Sequence, residues 1–460
     1  MTIITDIINV KGVKKMPFKP LTFKGGVHPP HNKHKTEHLV LKKAKAPEMV
    51  IIPLQQHIGA PCEPLVKVGD EVKLGQKIGE PKGFVGAPVH SSVSGKVKAI
   101  EKRPHPGGGM VQSVIIESDG LDTLDENVKP IGRLEDLTAD QVKNIMREAG
   151  LVGMGGAAFP TQVKFSPPPD KKIDTVILNG AECEPYLTAD HRLMVERPGD
   201  VVKGLKAMMK AVNVDKGYIA IEENKPDAIK AVTEAAKDEP NIEVVTLKAK
   251  YPQGAEKQLI KACTGREVPS GGLPMDSGVI VNYVGTAAAL AYAIDTGMPL
   301  VERIVTVTGS GVKEPQNLVV RIGTSFAEVI EQCGGLEDNV GKIIQGGPMM
   351  GIAQYTTEVP VIKGTSGILV LKEEDLGLRP ELPCIKCAKC VDACPIGLMP
   401  TKLEGFAQKG MLKEAEEYNA VDCIECGSCS FVCPAKRPLV ERIRLIKADI
   451  LAERRKAKQA

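Results

Sequence analysis

Eight of the twelve cysteines fall into two runs of identical spacing. The first is Cys384-x2-Cys387-x2-Cys390-x3-Cys394-Pro395, and the second repeats it as Cys423-x2-Cys426-x2-Cys429-x3-Cys433-Pro434. Three closely spaced thiolates can wrap one face of an iron–sulfur cubane, and a fourth must then arrive from elsewhere. In two-cluster proteins of this kind the fourth cysteine of each run serves the other cluster. That rule assigns Cys384, Cys387, Cys390 and Cys433 to one [4Fe–4S] cluster, and Cys423, Cys426, Cys429 and Cys394 to a second. Paired zinc knots are the alternative, because thiolates satisfy zinc as well. The x3-Cys-Pro ending favours iron–sulfur, so the chemistry on offer is one-electron transfer.

A second candidate is the glycine-rich stretch Gly153-Met-Gly155-Gly-Ala-Ala-Phe159-Pro-Thr-Gln-Val-Lys164-Phe165, which carries two of the eight phenylalanines. Glycines let backbone N–H groups approach a phosphate or a flat ring with no Cβ in the way. Lys164 could then offset phosphate charge. Downstream, Asn179-Gly-Ala-Glu182-Cys183-Glu184-Pro185 directly follows an apolar run at 174–178. An amide and carboxylates at the C-terminal end of a strand suit ribose hydroxyls or the edge of a flavin ring. Cys62, Cys183, Cys263 and Cys333 have no ligand spacing and read as small apolar residues. Cys183, between two glutamates, is expected to resist forming a thiolate. His28, His31 and His34 lie in a Pro- and Lys-rich stretch and read as surface residues rather than a metal site.

These residues need a scaffold of several units, since 460 residues exceed one ordinary core. Residues 50–118 read as short strands with tight turns. The stretch from Leu65 to Ile100 is similar to the small β-sandwich that carries biotin or lipoyl groups, but it lacks their Met-Lys attachment pair, which makes it a structural unit. From about 134 to 301 the pattern is mixed. Helical periodicity at 141–149 and 200–212 flanks the buried strand at 174–178, which predicts an α/β unit. A β-rich piece follows, with strands Ile304-Val-Thr-Val-Thr and Asn317-Leu-Val-Val-Arg-Ile and a helix at 325–333, an order that suggests a β-grasp module. The cysteine runs are separated by a helical stretch at 402–418, and a basic amphipathic helix runs from Pro438 onward. The predicted fold class is therefore α/β multidomain. Its units are a barrel-sandwich region at 1–125, an α/β flavin-binding domain at 126–301, a β-grasp module at 302–372 and a helical two-cluster ferredoxin-like domain at 373–460.

Composition excludes several functions. Charged residues make up 25% and net charge is only +3 with the signs interspersed, so nucleic acid is not the expected partner. The first ten residues place Asp6 in an apolar stretch and lack a basic start, which argues against a secretory signal. The longest apolar run, 279–294, contains Asn282 and Tyr283 and is shorter than the roughly 20 residues that cross a bilayer. Cysteines of a chain without export signal are expected to stay reduced and bind metal.

The glycine-rich and Asn-Gly-Ala-Glu-Cys-Glu-Pro segments resemble the NADH- and FMN-binding subunit of complex I. The resemblance continues in Gly254-Ala-Glu256 and Asn282-Tyr-Val-Gly-Thr286. Together with the sandwich region, the Gly25-Gly-Val-His-Pro-Pro30 segment and the cysteine runs, nearly the whole chain resembles the RnfC family of Rnf ion-translocating electron-transport complexes. That resemblance implies FMN contacts from Gly153, Gly155, Lys164, Asn179, Glu182, Glu256, Asn282 and Thr286, and NADH contacts from Phe159, Phe165 and Glu184. Met154, Ala181 and Cys183 depart from the complex I pattern, where arginine, aspartate and glycine are usual. It also implies integral membrane and ferredoxin-type partner subunits and a peripheral place on the cytoplasmic face of the membrane.

A hydride donor delivers two electrons at once, whereas a cubane accepts one. A chain that handles both needs a flavin between them. The expected function is exchange of hydride between NAD(H) and FMN, with single electrons relayed through two [4Fe–4S] clusters in a ferredoxin:NAD oxidoreductase that drives ion translocation. The alternatives are a component of a soluble NADH-dependent reductase and a ferredoxin-like relay without flavin.

Overall fold

The computed structural model describes residues 19–377 and 379–459. The ten residues read above for an export signal lie outside them.

Four parallel strands form the central sheet, in the order Ile242–Leu247, Gly217–Glu222, Thr175–Gly180 and Val279–Tyr283. Every residue of Thr175–Gly180 and Gly217–Glu222 is buried, as a parallel sheet covered on both faces requires. The helices Pro198–Ala211 and Val284–Thr296 pack together on it. Their close approach needs Gly204, because a Cβ there would lie 2.0 Å from the Ala287 carbonyl oxygen. The long apolar run at 279–294 is thus divided between a buried strand and a buried helix. No described helix is long and apolar enough to cross a membrane.

Ahead of this unit, a four-stranded and a three-stranded antiparallel sheet enclose one apolar core that includes Val50, Ile52, Ile78, Val97 and Ile116. Beyond it lies a mixed six-stranded sheet, ordered Lys42–Lys43, Gln316–Arg321, Glu302–Gly309, Gly367–Lys372, Val340–Gln345 and Ile352–Ala353. The helix Phe326–Glu331 buries Phe326, Val329 and Ile330 in the core of that unit, and Ser325 caps its N-terminus through Glu328 N–H. The C-terminal unit is helical. Pro400–Lys409 stops at Gly410, whose φ of 64° is left-handed, and Leu412–Glu417 follows. Leu439–Gln459 then packs across both.

A strap at residues 21–44, which the sequence places simply within the N-terminal region, ties these units together. Leu21 and Val27 bridge to Leu247 and Tyr251 of the α/β unit. Gly26 N–H donates to Ala393 O at 3.0 Å in the cysteine-rich unit. Asn317 Nδ2 donates to Thr36 O at 2.9 Å, and Lys42–Lys43 adds an edge strand to the mixed sheet.

Candidate functional site

The glycine-rich turn opens beside the C-terminal ends of Thr175–Gly180 and Val279–Tyr283, the edge where open α/β sheets bind ligands. Gly153 N–H donates to Phe159 O at 2.9 Å and closes the turn. Thr286, in the first turn of Val284–Thr296, donates to Val152 O at 3.0 Å and accepts from Met154 N–H at 3.1 Å. A Cβ on Gly155 would lie 2.4 Å from the Tyr283 ring and one on Gly156 2.8 Å from its hydroxyl. The glycines therefore let the backbone lie flat on Tyr283, while Gly155, Gly156 and Ala157 stay open to solvent.

Asn179 and Asn282 end neighbouring strands. Asn179 Nδ2 donates to Gly254 O at 2.8 Å, and its Oδ1 accepts from Ala181 N–H at 3.1 Å. Asn282 Oδ1 accepts from Tyr283 N–H at 2.9 Å, but its buried Nδ2 has no partner among the described residues. Both polar side-chain atoms of the fully buried Gln253 are likewise unpartnered. Buried polar groups are nearly always hydrogen-bonded, and a flavin's ring edge and ribityl hydroxyls could supply what these amides lack. The residues present fit FMN.

The charged residues do more than the sequence suggests. Lys164 Nζ contacts Glu256 at 2.7 Å and Val281 O at 2.9 Å, so two expected FMN contacts pair with each other. Glu182 accepts from Asp190 and His191 N–H at 2.7 and 3.2 Å and caps the helix Ala189–Glu196. Glu184 accepts from Met350 and Met349 N–H at 2.8 and 3.1 Å, reaching into the mixed-sheet unit. Burial pushes its carboxyl up to about 7 despite those donors. Phe159 is half-buried. Phe165 is a correction: it is fully buried in the α/β core and has no face to offer a nicotinamide. Cys183 accepts from Gly254 N–H at 3.3 Å, and burial, then Glu222, raises its thiol well above the usual range.

Three buried cations that carry no signal in the sequence hold these loops by their carbonyls. Lys33 of the strap donates to Glu182 O and Glu184 O, both at 2.9 Å, and to Leu187 O at 2.5 Å. Lys225 donates to Ala181 O at 2.6 Å. Arg303, from the strand Glu302–Gly309, donates to Met154 O at 2.9 Å and lies against the Met154 sulfur.

In the C-terminal unit, Cys394, Cys423, Cys426 and Cys429 line one small cavity, walled by Leu398, Leu403 and Ile443. Cys394 of the first run thus meets three thiols of the second, the crossed set expected from spacing. On the other side, burial raises the Cys390 thiol, and Cys433 and Cys384 stand close enough to add to it. Both runs fold alike, with left-handed Lys386 and Ala388 matched by Glu425 and Gly427. In each, a backbone N–H points at the leading sulfur, from Lys386 to Cys384 and from Glu425 to Cys423, both at 3.4 Å. Burial raises Cys423 to about 11 and Cys429 to about 12. Among the described residues no group of three His, Cys, Asp or Glu is placed to hold a single metal ion. Cys62, Cys263 and Cys333 lie outside the cavity, with burial raising them to about 11, 12 and 12.

The two sites meet at an apolar junction. Val27, Tyr251, Ala393 and Cys426 are buried there, and Cys183 and Met349 pack against them. Gln258 Nε2 donates to Pro395 O at 3.2 Å across the same boundary.

Fold and site together define a multidomain electron-transfer protein. The chain matches the Nuo51 FMN-binding domain over residues 146–292 and the 4Fe-4S dicluster domain over 383–436. It matches the RnfC Barrel sandwich hybrid domain over 21–121 and the SLBB domain over 304–353. It is 57% identical to the C component of the Na(+)-translocating ferredoxin:NAD(+) oxidoreductase complex of Acetobacterium woodii, over 96% of this chain and 100% of that one. Identity to the proton-translocating counterpart of Clostridium ljungdahlii is 50%, covering 95% and 96%. The C component of the ion-translocating oxidoreductase complex of Rhodobacter capsulatus is 40% identical, covering 96% and 85%. The chain belongs to the RnfC family of ion-translocating oxidoreductase complexes.

Proposed function

We propose that this chain is the NAD(H)-reacting component of a membrane-associated ferredoxin:NAD oxidoreductase complex that couples electron flow to ion translocation. The observation that carries the reading is the apolar junction, which brings the loop at 181–187 and Tyr251 against Cys426 of the crossed cysteine set. When bound, FMN supplies the exchange between hydride and single electrons, and two [4Fe–4S] clusters supply one-electron steps.

The chain's own residues position and insulate. Gly153 and Gly155 shape the surface against which the flavin lies, and Thr286 fixes that turn. Asn179 and Asn282 offer hydrogen bonds to the flavin's polar edges. Lys164 and Glu256 form an ion pair that can open toward the phosphate and ribityl chain. Glu182 sets the loop's conformation, while Glu184 and Phe159 face the nicotinamide side. Cys394, Cys423, Cys426 and Cys429 hold the near cluster. Cys384, Cys387, Cys390 and Cys433 hold the far one, where Cys384 and Cys387 are exposed. Membrane attachment then comes through other subunits on the cytoplasmic face.

The test uses anaerobically reconstituted full chain with FMN. NADH should bleach the flavin band and then the broader cluster absorbance. A flavin that stays oxidised under excess NADH overturns the reading.

A further inference from the structure

The two cysteine sites differ in how they meet solvent. Cys426 and Cys429 are 7% and 8% exposed, whereas Cys384 and Cys387 lie at the surface. A cluster takes on one more negative charge when it is reduced, and burial opposes that charge because water no longer solvates it. Burial alone would therefore make the near cluster the harder one to reduce. It is also the one that stands against Cys183 and Tyr251, on the flavin side of the junction. Hydrogen bonds to cluster sulfurs act in the opposite sense, because a donor favours the more negative, reduced state.

The backbone N–H that serves the leading cysteine does not distinguish the sites, since it stands at 3.4 Å in both. Side-chain hydroxyls do. Ser428 is fully buried, and its hydroxyl meets Cys426 Sγ at 3.3 Å with no other partner among the described residues. As a thiol, Cys426 is the donor in that contact. A cysteine that ligates iron has lost its S–H proton, so the contact reverses and Ser428 O–H donates. The matching position of the first run is Lys389, which is exposed and offers no hydroxyl. Tyr251 supplies a second hydroxyl. Its side chain packs with Cys426 in the apolar junction, and its buried oxygen has no hydrogen-bond partner among the described residues. Buried polar groups are nearly always paired, so an acceptor is due there. At the open site the hydroxyl of Thr401 stands farther off, 3.8 Å from the exposed Cys384, where water competes for the same sulfur.

We propose that Ser428 and Tyr251 are hydroxyl donors to the near cluster at its Cys426 corner, where they offset burial and raise its potential; this deepens and rests on the function proposed above. The step they assist places one electron on the cluster, and no bond or proton changes hands. Each O–H turns its positive end toward sulfur and so stabilises the reduced state more than the oxidised one.

The experiment reads a midpoint potential and needs no turnover. Full chain carrying Cys387→Ala, reconstituted anaerobically to about four iron, keeps only the near cluster, whose reduction by dithionite is followed by electron paramagnetic resonance at set potentials. Ser428→Ala and Tyr251→Phe should each lower the ratio of reduced to oxidised cluster at fixed potential at least about threefold, or about 28 mV at about 59 mV per tenfold. In a Cys426→Ala background, which keeps only the far cluster, the same substitutions should leave the midpoint where it was. Should Ser428→Ala deplete iron, Tyr251→Phe, which lies outside the cysteine runs, still reads the shift. A near-cluster midpoint that stays put or rises, or a far-cluster midpoint that falls equally, overturns the inference. About four iron with an unmoved midpoint leaves the proposed function standing, whereas a chain that takes up zinc in place of iron sinks both.

Discussion

Replacing Gly155 by Ala places a carbon 2.4 Å from Cδ1 and Cε1 of Tyr283. Carbon atoms settle at about 3.5–4.0 Å, so ring or turn must move by more than about 1 Å. Neither yields easily. Thr286 clamps the turn on both sides of Gly153, and Tyr283 joins a buried strand to a buried helix. Overpacking of this kind costs about 1–3 kcal/mol. If that cost falls on the turn that receives FMN, affinity weakens by about five- to 150-fold. Gly153→Ala is the control, since its Cβ would meet the same ring at an ordinary 3.5 Å. Adding Tyr283→Ala removes the obstruction and should return much of the loss, a coupling that a double-mutant cycle measures directly. The assay is quenching of FMN fluorescence on titration with each variant, beside thermal melts. Equal FMN affinity for Gly155→Ala and the parent, or no recovery with Tyr283→Ala, would refute the steric reasoning.

Lys33→Met removes the ammonium that serves three buried carbonyls; urea unfolding should show a loss of about 2–4 kcal/mol, and an unchanged midpoint would contradict it. Glu184 has a folded-state pKa raised from 4.5 to about 7. Its cost is absent below pH 4.5, where folded and unfolded chains are both protonated, grows as pH rises toward 7, and is constant above. Discounted for partial exposure, it is worth roughly 1–3 kcal/mol. Glu184→Gln should therefore gain stability relative to the parent as pH rises from about 5 to about 8, and parallel pH–stability curves would count against it. Cys387→Ala and Cys426→Ala should each lower iron from about eight to about four per chain. Only Cys426→Ala should stop NADH from reducing the remaining cluster, and the opposite pattern would reverse the near and far assignments.

The meeting of Cys394 with three thiols of the second run was legible because the spacing rule for two-cluster proteins holds whatever the rest of the chain does. The buried strands were legible for a related reason: a sheet covered on both faces leaves an unbroken apolar run, as in Thr175–Gly180. The helices expected at 141–149 and 200–212 stand as Ala139–Glu148 and Pro198–Ala211. Phe165 was misread because a loop phenylalanine that stacks on a ligand and one that fills a core look the same in sequence. Lys33, Lys225 and Arg303 escaped notice because their acceptors are backbone carbonyls, which carry no residue signature. A fully buried lysine is also rare enough that a surface reading is the natural default. The strap was invisible for want of periodicity: its contacts are single bridges and caps rather than a repeating face.

The strap also bears on the order of assembly. It is made before the units it joins, yet one of its anchors, Ala393, belongs to the cysteine-rich unit, which is made after the α/β unit and the mixed sheet. Residues 21–44 must therefore wait through synthesis of the units they join, with Lys33 and Gly26 unsatisfied until their partners exist. Contacts so distant in sequence form late, because loop closure precedes any gain from them. Full seating of the strap then requires the α/β unit, the mixed sheet and the cysteine-rich unit all to be present. A chain arrested before its cysteine runs leaves the strap only partly held, open to proteases, and a chain whose strap is seated already has its two redox sites joined.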